Sequence, residues 1–303
     1  MKIIIAGGSG SIGAWLAEYF SKKGNDIIIL SRKKFRDKNK IKFVQWDAKT
    51  FGDWAAELNG ADIIINLTGK SVNCRYTEKN KKEIIESRLL ATKIIGEAIN
   101  KLKDPPKVWF NAASATIYRD ARDFPQDEFT GEIGSDFSMN VCKAWEKCFY
   151  EIDVPHTRKI VLRMAITLGI NGGVINRFKN LVRFGLGGKM STGTQMMSWV
   201  HVEDIARSIE FLYAHENLNG IYNISSPYPV DNKEFMATIR KSMKIPFGIP
   251  TPKWFLAFGA FIIGTETELI LKSRWVIPQK LIAAGFKFKY AEVGNVLISE
   301  QSQ

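Results

Sequence analysis

Gly7, Gly10 and Gly13 stand three residues apart, directly after the apolar run Ile3-Ile4-Ile5-Ala6. Apolar residues at helical spacing, Trp15, Leu16, Tyr19 and Phe20, follow at once. A strand, a glycine turn and a helix in this order offer an anion the free N–H groups of a helix N-terminus, where the helix dipole also favours negative charge. Gly7 serves the tight turn, Gly10 lets a pyrophosphate approach the backbone, and Gly13 lets helix and strand pack closely. With Ser11 and Ile12 between them, these residues are expected to hold the phosphates of a dinucleotide.

The next informative point lies about 20 residues on. There a carboxylate would select the ribose 2′-hydroxyl of NAD, but the chain reads Leu30-Ser31-Arg32-Lys33-Lys34. An arginine at that point stacks on adenine and pairs bidentately with a 2′-phosphate. Ser31 and Arg32 therefore predict NADP(H) rather than NAD(H). Asp47 is placed either to accept from the adenine amino group or to cap a helix. Leu67, Thr68 and Gly69 would set small residues against the pyrophosphate and ribose. Arg88 interrupts the apolar stripe 84, 88, 91, 95, 98 and 102 of a helix. A buried arginine needs a charged partner, so it either forms an inward ion pair or reaches the cofactor or an anionic substrate.

Strands are expected at 3–6, 26–30, 42–46, 61–67, 107–112 and 158–162. Helices over roughly 11–23, 77–102 and 137–150, and a short one near 53–58, alternate with them. Continuous apolar strands in repeated βα units mean a parallel sheet covered on both faces. The fold class is α/β: a doubly wound Rossmann sheet over 1–224, with a smaller, mainly helical C-terminal lobe over 225–303. Segments of 163–200 contribute to the pocket. The second half carries expected helices at 174–185, 202–215 and 232–243, a strand at 220–224, and a largely helical final 50 residues.

Composition excludes several classes. Three cysteines, Cys74, Cys142 and Cys148, with no Cys-x-x-Cys, argue against a disulfide framework and against a zinc site. They fit a reducing compartment, most simply the cytoplasm. The net charge is +12, but the basic residues are scattered and no nucleic-acid module is visible, so no nucleic-acid partner is expected. The apolar start is too short and too glycine-rich for a signal peptide. Residues 252–264 are too few to span a bilayer and read as a buried or amphipathic helix, so no membrane partner is expected.

Motifs through the whole chain resemble the extended short-chain dehydrogenase/reductases of the nucleoside-diphosphate-sugar epimerase type, and specifically epimerase family proteins of the YfcH type. They are Gly7-x-x-Gly10-x-x-Gly13, Asn66-Leu67-Thr68-Gly69, Ser87-Arg88, Ala113-Ser114-Ala115-Thr116-x-Tyr118, Val141-Cys142-Lys143-x-Trp145-Glu146, and Trp199-x-His201-x-x-Asp204. Pro278-x-x-Leu281…Gly285-Phe286-x-Phe288 resembles the short C-terminal domain of unknown function that these proteins carry.

The resemblance implies a Ser/Thr that bonds a substrate oxygen and a Tyr-x-x-x-Lys pair that moves its proton. Ser114 takes the first position. Ser138 and Cys142 stand where Tyr and Lys belong. Tyr118, four residues past Ser114, is the nearest replacement donor, or else a packed aromatic. Cys142 is a second candidate, or else a small buried hydrophobe. Glu128, Arg163 and His201 are candidate substrate contacts, with a solvated loop acid and a structural histidine as alternatives for the first and last. The expected activity is NADP(H)-dependent oxidoreductase or epimerase-like chemistry on a small, anionic or nucleotide-linked carbonyl or hydroxyl compound. The competing reading is a catalytically impaired NADPH sensor or scaffold. By analogy, a homodimer would form through the 77–102 and 137–150 helices.

Overall fold

In a computed structural model of the chain, residues 1–38, 40–170, 173–256 and 271–299 are described. The strands are β1 (Lys2–Ala6), β2 (Asp26–Ser31), β3 (Ile41–Gln45), β4 (Ile63–Asn66), β5 (Val108–Ser114), β6 (Arg158–Met164), β7 (Ile166–Leu168), β8 (Met196–Met197), β9 (Trp199–His201), β10 (Gly220–Ile224) and β11 (Val230–Asp231). The helices are α1 (Ser11–Lys22), α2 (Glu78–Asn100), α3 (Phe137–Glu151), α4 (Val174–Arg183), α5 (Val202–Ala214), α6 (Asn232–Ser242), α7 (Gln279–Ala283) and α8 (Val293–Ser299). Two 3-10 helices are described, Asp53–Leu58 between β3 and β4 and Ala115–Ile117 directly after β5.

Seven strands form one sheet in the order β10-β6-β5-β4-β1-β2-β3, and every pairing in it is parallel. The order reverses between β1 and β4, and open sheets of this kind bind ligands beyond the carboxyl ends of the strands at that point.

The apolar strand runs follow from burial on both faces. Ile3 and Ile5 of β1 join one core with Leu16 and Phe20 of α1 and Ile205 and Ile209 of α5. Ile4 and Ala6 join the opposite core with Ile95 and Ala98 of α2 and Phe149 of α3. Alternate residues point to opposite faces, so a strand buried on both sides reads as unbroken apolar sequence.

The helices α2 and α3 start on side-chain caps. Thr77 Oγ1 accepts from Asn80 N at 3.3 Å before α2, and Asp136 Oδ1 accepts from Met139 N at 3.1 Å before α3. Gly10 before α1 has no side chain to do this, which leaves the first-turn N–H groups open toward the sheet edge.

A third core lies outside the sheet. It joins Leu168, Ile175, Phe178, Val182 and Trp199 to Phe235, Met236, Ile239 and Val296. The boundary expected at 224/225 does not separate the cores. Residues 166–199 belong with the lobe, while Leu281 and Phe286 return to pack beneath the sheet. The expected helix over 252–264 is described only at 253–256; its remainder lies outside the described residues. The final segment is less helical than expected, with irregular runs on both sides of α7.

Candidate active site

A cleft of about 460 Å³ opens over the ends of β1, β4, β5 and β6. Gly7, Gly10, Ser11, Ile12, Gly13, Leu67 and Gly69 line one wall. Gly7 has φ +76°, and a Cβ there would approach Leu67 C to 3.0 Å. A Cβ on Gly13 would lie 2.6 Å from Gly8 Cα, whereas at Gly10 it would meet only Gly7 O, at 3.5 Å. Gly13 is thus needed for packing, and the backbone at Gly10 is open to the cleft.

Gly69 is shared with a recess of about 50 Å³ lined by Arg32, Asp47, Thr68, Lys49 and Lys70. Asn66 Oδ1 accepts from Thr68 N at 3.1 Å, and Asn66 Nδ2 donates to Asn111 Oδ1 at 2.7 Å, which fixes this turn to the sheet. The buried Thr68 hydroxyl has no hydrogen-bond partner among the described residues. Such an orphan in a native fold calls for an explanation.

Asp47 lines the recess and closes the bend at 47–50; it caps no helix, since Gly52 stands before the 3-10 helix Asp53–Leu58. Its Oδ1 accepts from Lys49 N and Thr50 N at 2.8 Å each, and these bonds hold its pKa below the usual carboxylate range. Ser31 is buried rather than lining the recess. Its hydroxyl donates to Ser9 Oγ at 3.2 Å and accepts from Lys33 N at 3.2 Å, tying the Arg32 loop to the glycine turn.

Arg88 makes no ion pair among the described residues. Its Nη1 donates to Ile84 O at 2.8 Å and to Lys70 O at 3.1 Å, and its guanidinium lies 5.1 Å from the Trp145 ring centroid. Burial pushes its pKa below the ordinary arginine value. The cation lines the cleft in place of an inward ion pair.

The opposite wall carries Ser114, Thr116, Ser138 and Cys142. Ser114 Oγ donates to Thr116 Oγ1 at 3.0 Å and accepts from Thr116 N at 3.2 Å. Burial, with the Glu146 carboxylate adding to it, pushes the Cys142 thiol up to about 12. Cys142 is therefore a neutral thiol near pH 7 and supplies no thiolate.

One group was not legible in the sequence. Tyr76, just before the α2 cap, brings its phenol oxygen to 3.2 Å from Ser138 Oγ, and its ring packs edge-on against Phe137 at 4.8 Å. Tyr76 also lies within electrostatic reach of Arg88. A tyrosine hydroxyl thus reaches the position where Tyr was expected on α3, carried there by another segment.

Four expected site residues lie elsewhere. Tyr118 is 1% exposed, and its hydroxyl donates to Asn223 Oδ1 at 3.0 Å while accepting from Arg163 Nη1 at 2.8 Å. Burial raises its pKa, and it is no cleft donor. Arg163 is buried and spent on Glu146, with Nε–Oε1 at 2.8 Å and Nη2–Oε2 at 2.7 Å. Burial opposes its charge, but the Glu146 carboxylate more than offsets this and raises its pKa. Glu128 accepts from Asn223 N at 2.7 Å and from Lys280 N at 3.3 Å, which pins the C-terminal segment to β10. His201 is buried, caps α5 through Nδ1 at 3.2 Å from Glu203 N, and packs on the Tyr290 ring at 3.7 Å. Tyr118, Arg163 and Glu128 are linked through Asn223, His201 is held by Glu203 and Tyr290, and none of the four lines the cleft.

Comparison with known proteins fits this arrangement. Residues 3–152 match the NAD dependent epimerase/dehydratase family, and residues 251–298 match a domain of unknown function, DUF1731. Epimerase family protein YfhF of Bacillus subtilis is 33% identical over 302 residues, covering 97% of this chain and 95% of that protein. Epimerase family protein SERP0438 of Staphylococcus epidermidis is 30% identical over 303 residues, covering 98% of this chain and 97% of that protein. Among solved structures, the human epimerase family protein SDR39U1, crystallised with NADPH, superposes with a TM-score of 0.87 at 27% identity, covering 99% of this chain and 98% of that one. The chain belongs to the epimerase family proteins of the NAD dependent epimerase/dehydratase family.

Proposed function

We propose that this chain is an NADP(H)-dependent oxidoreductase or epimerase-like enzyme acting on a small, anionic or nucleotide-linked carbonyl or hydroxyl compound. The observation that carries the proposal is the Tyr76–Ser138 hydroxyl pair, of which Ser138 lines the same cleft as Ser114 and Tyr76 lies within the field of Arg88.

The residues fit a pyridine dinucleotide. Gly7 to Gly13 form the cradle, the α1 N-terminus is uncapped, and Thr68 keeps an unused buried hydroxyl. Arg32, with Lys49 on the same recess, suits a 2′-phosphate better than a bare ribose, while the Lys70 ammonium beside them is paired with Glu83. The bound form of the human relative supports the same preference. When bound, the nicotinamide supplies hydride transfer.

The protein's own part is to hold an oxygen and move a proton. Ser114, whose Oγ accepts from Thr116 N, is polarised to donate to the substrate oxygen once its hydroxyl turns from Thr116. In the reducing direction the substrate oxygen gains the Ser138 proton as Ser138 takes the proton of Tyr76. The Tyr76 phenolate is then stabilised by Arg88 until solvent reprotonates it. This gives Arg88 the electrostatic task of the absent lysine. The three cysteines are free thiols, which supports a cytoplasmic setting.

An NADPH-oxidation screen against carbonyl compounds tests the proposal. Turnover lost in both Ser114→Ala and Tyr76→Phe, with NADPH binding kept, is the expected result. NADPH binding without turnover of any carbonyl compound in the unmodified protein would favour the sensor or scaffold reading.

A further inference from the structure

We infer that the lobe outside the sheet carries a docking surface for an anionic membrane, lying on the lipid headgroups rather than crossing them. Large apolar side chains are strongly exposed at Phe184 (81%), Phe247 (77%), Trp254 (71%) and Ile249 (60%). Single exposed apolar residues are ordinary, but these share one surface. Ile249 N donates to Gly185 O at 2.8 Å and Gly188 N donates to Ile249 O at 3.1 Å, so Phe184 and the 247–249 turn are held side by side. Thr251 N donates to Lys189 O at 2.9 Å, and Trp254 stands on the next turn of chain, edge-on to Phe255 at 5.7 Å. Hydrogen-bonded backbone sets these aromatic rings outward; they are not a frayed terminus.

Charge identifies the partner. The two segments that build the surface, 173–202 and 235–256, contain eight Lys and Arg residues and no Asp or Glu. Arg183, Lys189, Lys244 and Lys253 are all exposed. None of the protein's 31 Asp and Glu residues falls within these two segments, although Glu234, just before the second, lines a cavity with Lys241, Lys244 and Glu292. Exposed aromatic rings beside an excess of cations are the chemistry of the headgroup layer: rings enter the acyl boundary while lysines and arginines pair with lipid phosphates. Each cation near such a surface contributes about 1 kcal/mol, screened by salt. Among the described residues no helix is long and apolar enough to cross a membrane, so the mode is peripheral. The expectation of no membrane partner rested on span length, which does not bear on surface attachment.

The test is co-sedimentation of the full chain with vesicles of phosphatidylcholine alone and of phosphatidylcholine with phosphatidylglycerol. Binding to the anionic vesicles only, weakened by high salt, is expected. The Phe184→Ser, Phe247→Ser, Trp254→Ser triple variant should partition about tenfold or more less, with thermal midpoint and NADPH binding unchanged. If that variant does not fold, Lys189→Glu with Lys244→Glu and Lys253→Glu should show the same loss. No partition of the unmodified chain overturns the inference, as does equal partition of the folded variants. Self-association that the triple variant abolishes, without vesicle binding, assigns the surface to a second copy and also overturns it.

Discussion

Tyr76 and Ser138 lie 62 positions apart in the chain, yet their hydroxyl oxygens meet at 3.2 Å beside the cleft. The pair sets a phenol beside Ser138, the α3 residue at the position where the family resemblance implies a tyrosine. Losing a positioned proton donor typically costs about 10²–10⁴-fold in rate. Tyr76→Phe should lower kcat by that order while leaving NADPH affinity nearly unchanged, measured by initial rates and by calorimetry. Unaltered kcat would remove Tyr76 from the proton path.

Tyr118 serves as the contrast. Tyr118→Phe should keep kcat but cost about 1–3 kcal/mol of stability, because Arg163 and Asn223 each lose a buried partner. Urea unfolding reads the second quantity. A collapse of kcat without loss of stability would reverse the roles assigned to the two tyrosines.

The Glu146–Arg163 pair joins α3 to β6 in the interior. Arg163→Met leaves the carboxylate buried and alone, and should cost about 3–5 kcal/mol. Replacing both partners, with Glu146→Leu added, should recover part of that loss, since most of the cost is the unpaired charge. Equal losses in the single and double variants would contradict this.

Gly13→Ala tests the cradle. The added methyl would lie 2.6 Å from Gly8 Cα, and overpacking of this kind costs about 1–3 kcal/mol. The thermal midpoint and NADPH affinity should fall together. An unchanged midpoint would mean that the turn has more room than its geometry allows.

Cys142 carries a pH signature. Its folded-state pKa is raised by burial to about 12, above that of the unfolded thiol. A raised folded value means that its stabilising contribution is complete below the unfolded thiol pKa. That contribution is lost as pH rises through the folded one. Between roughly pH 9 and 11 the unmodified protein should lose thermal stability more steeply than Cys142→Ala. At pH 8 a thiol reagent should leave Cys142 unlabelled until unfolding; rapid labelling in the native state would contradict its burial.

What the sequence made legible is what short-range physics controls. The glycine spacing at 7, 10 and 13 and the apolar β1 run need only neighbours to be read, and helix 77–102 corresponds to Glu78–Asn100 within two residues. The sequence left Tyr118 open between a donor and a packed aromatic because its partners, Asn223 and Arg163, are 105 and 45 positions away. Tyr76 sits in an irregular stretch before α2, where no periodicity marks a direction. The lobe boundary was misplaced because Phe178 and Phe235 meet edge-on at 5.2 Å from segments with a sheet strand between them in the chain. Arg88 was legible as a buried cation, but only the fold tells that it faces a cleft rather than a carboxylate.

Arg32 decides the central claim, since turnover has no meaning here without the cofactor it assigns. The direct measurement is calorimetric titration of the unmodified chain and of Arg32→Asp with NADPH and with NADH. A 2′-phosphate held by charge-assisted bonds is worth about 1.5–3 kcal/mol, so NADPH should bind about 10–100-fold tighter than NADH, and Arg32→Asp should close or reverse that gap. Equal affinity of the unmodified protein for the two dinucleotides, or no binding of either, would contradict the account.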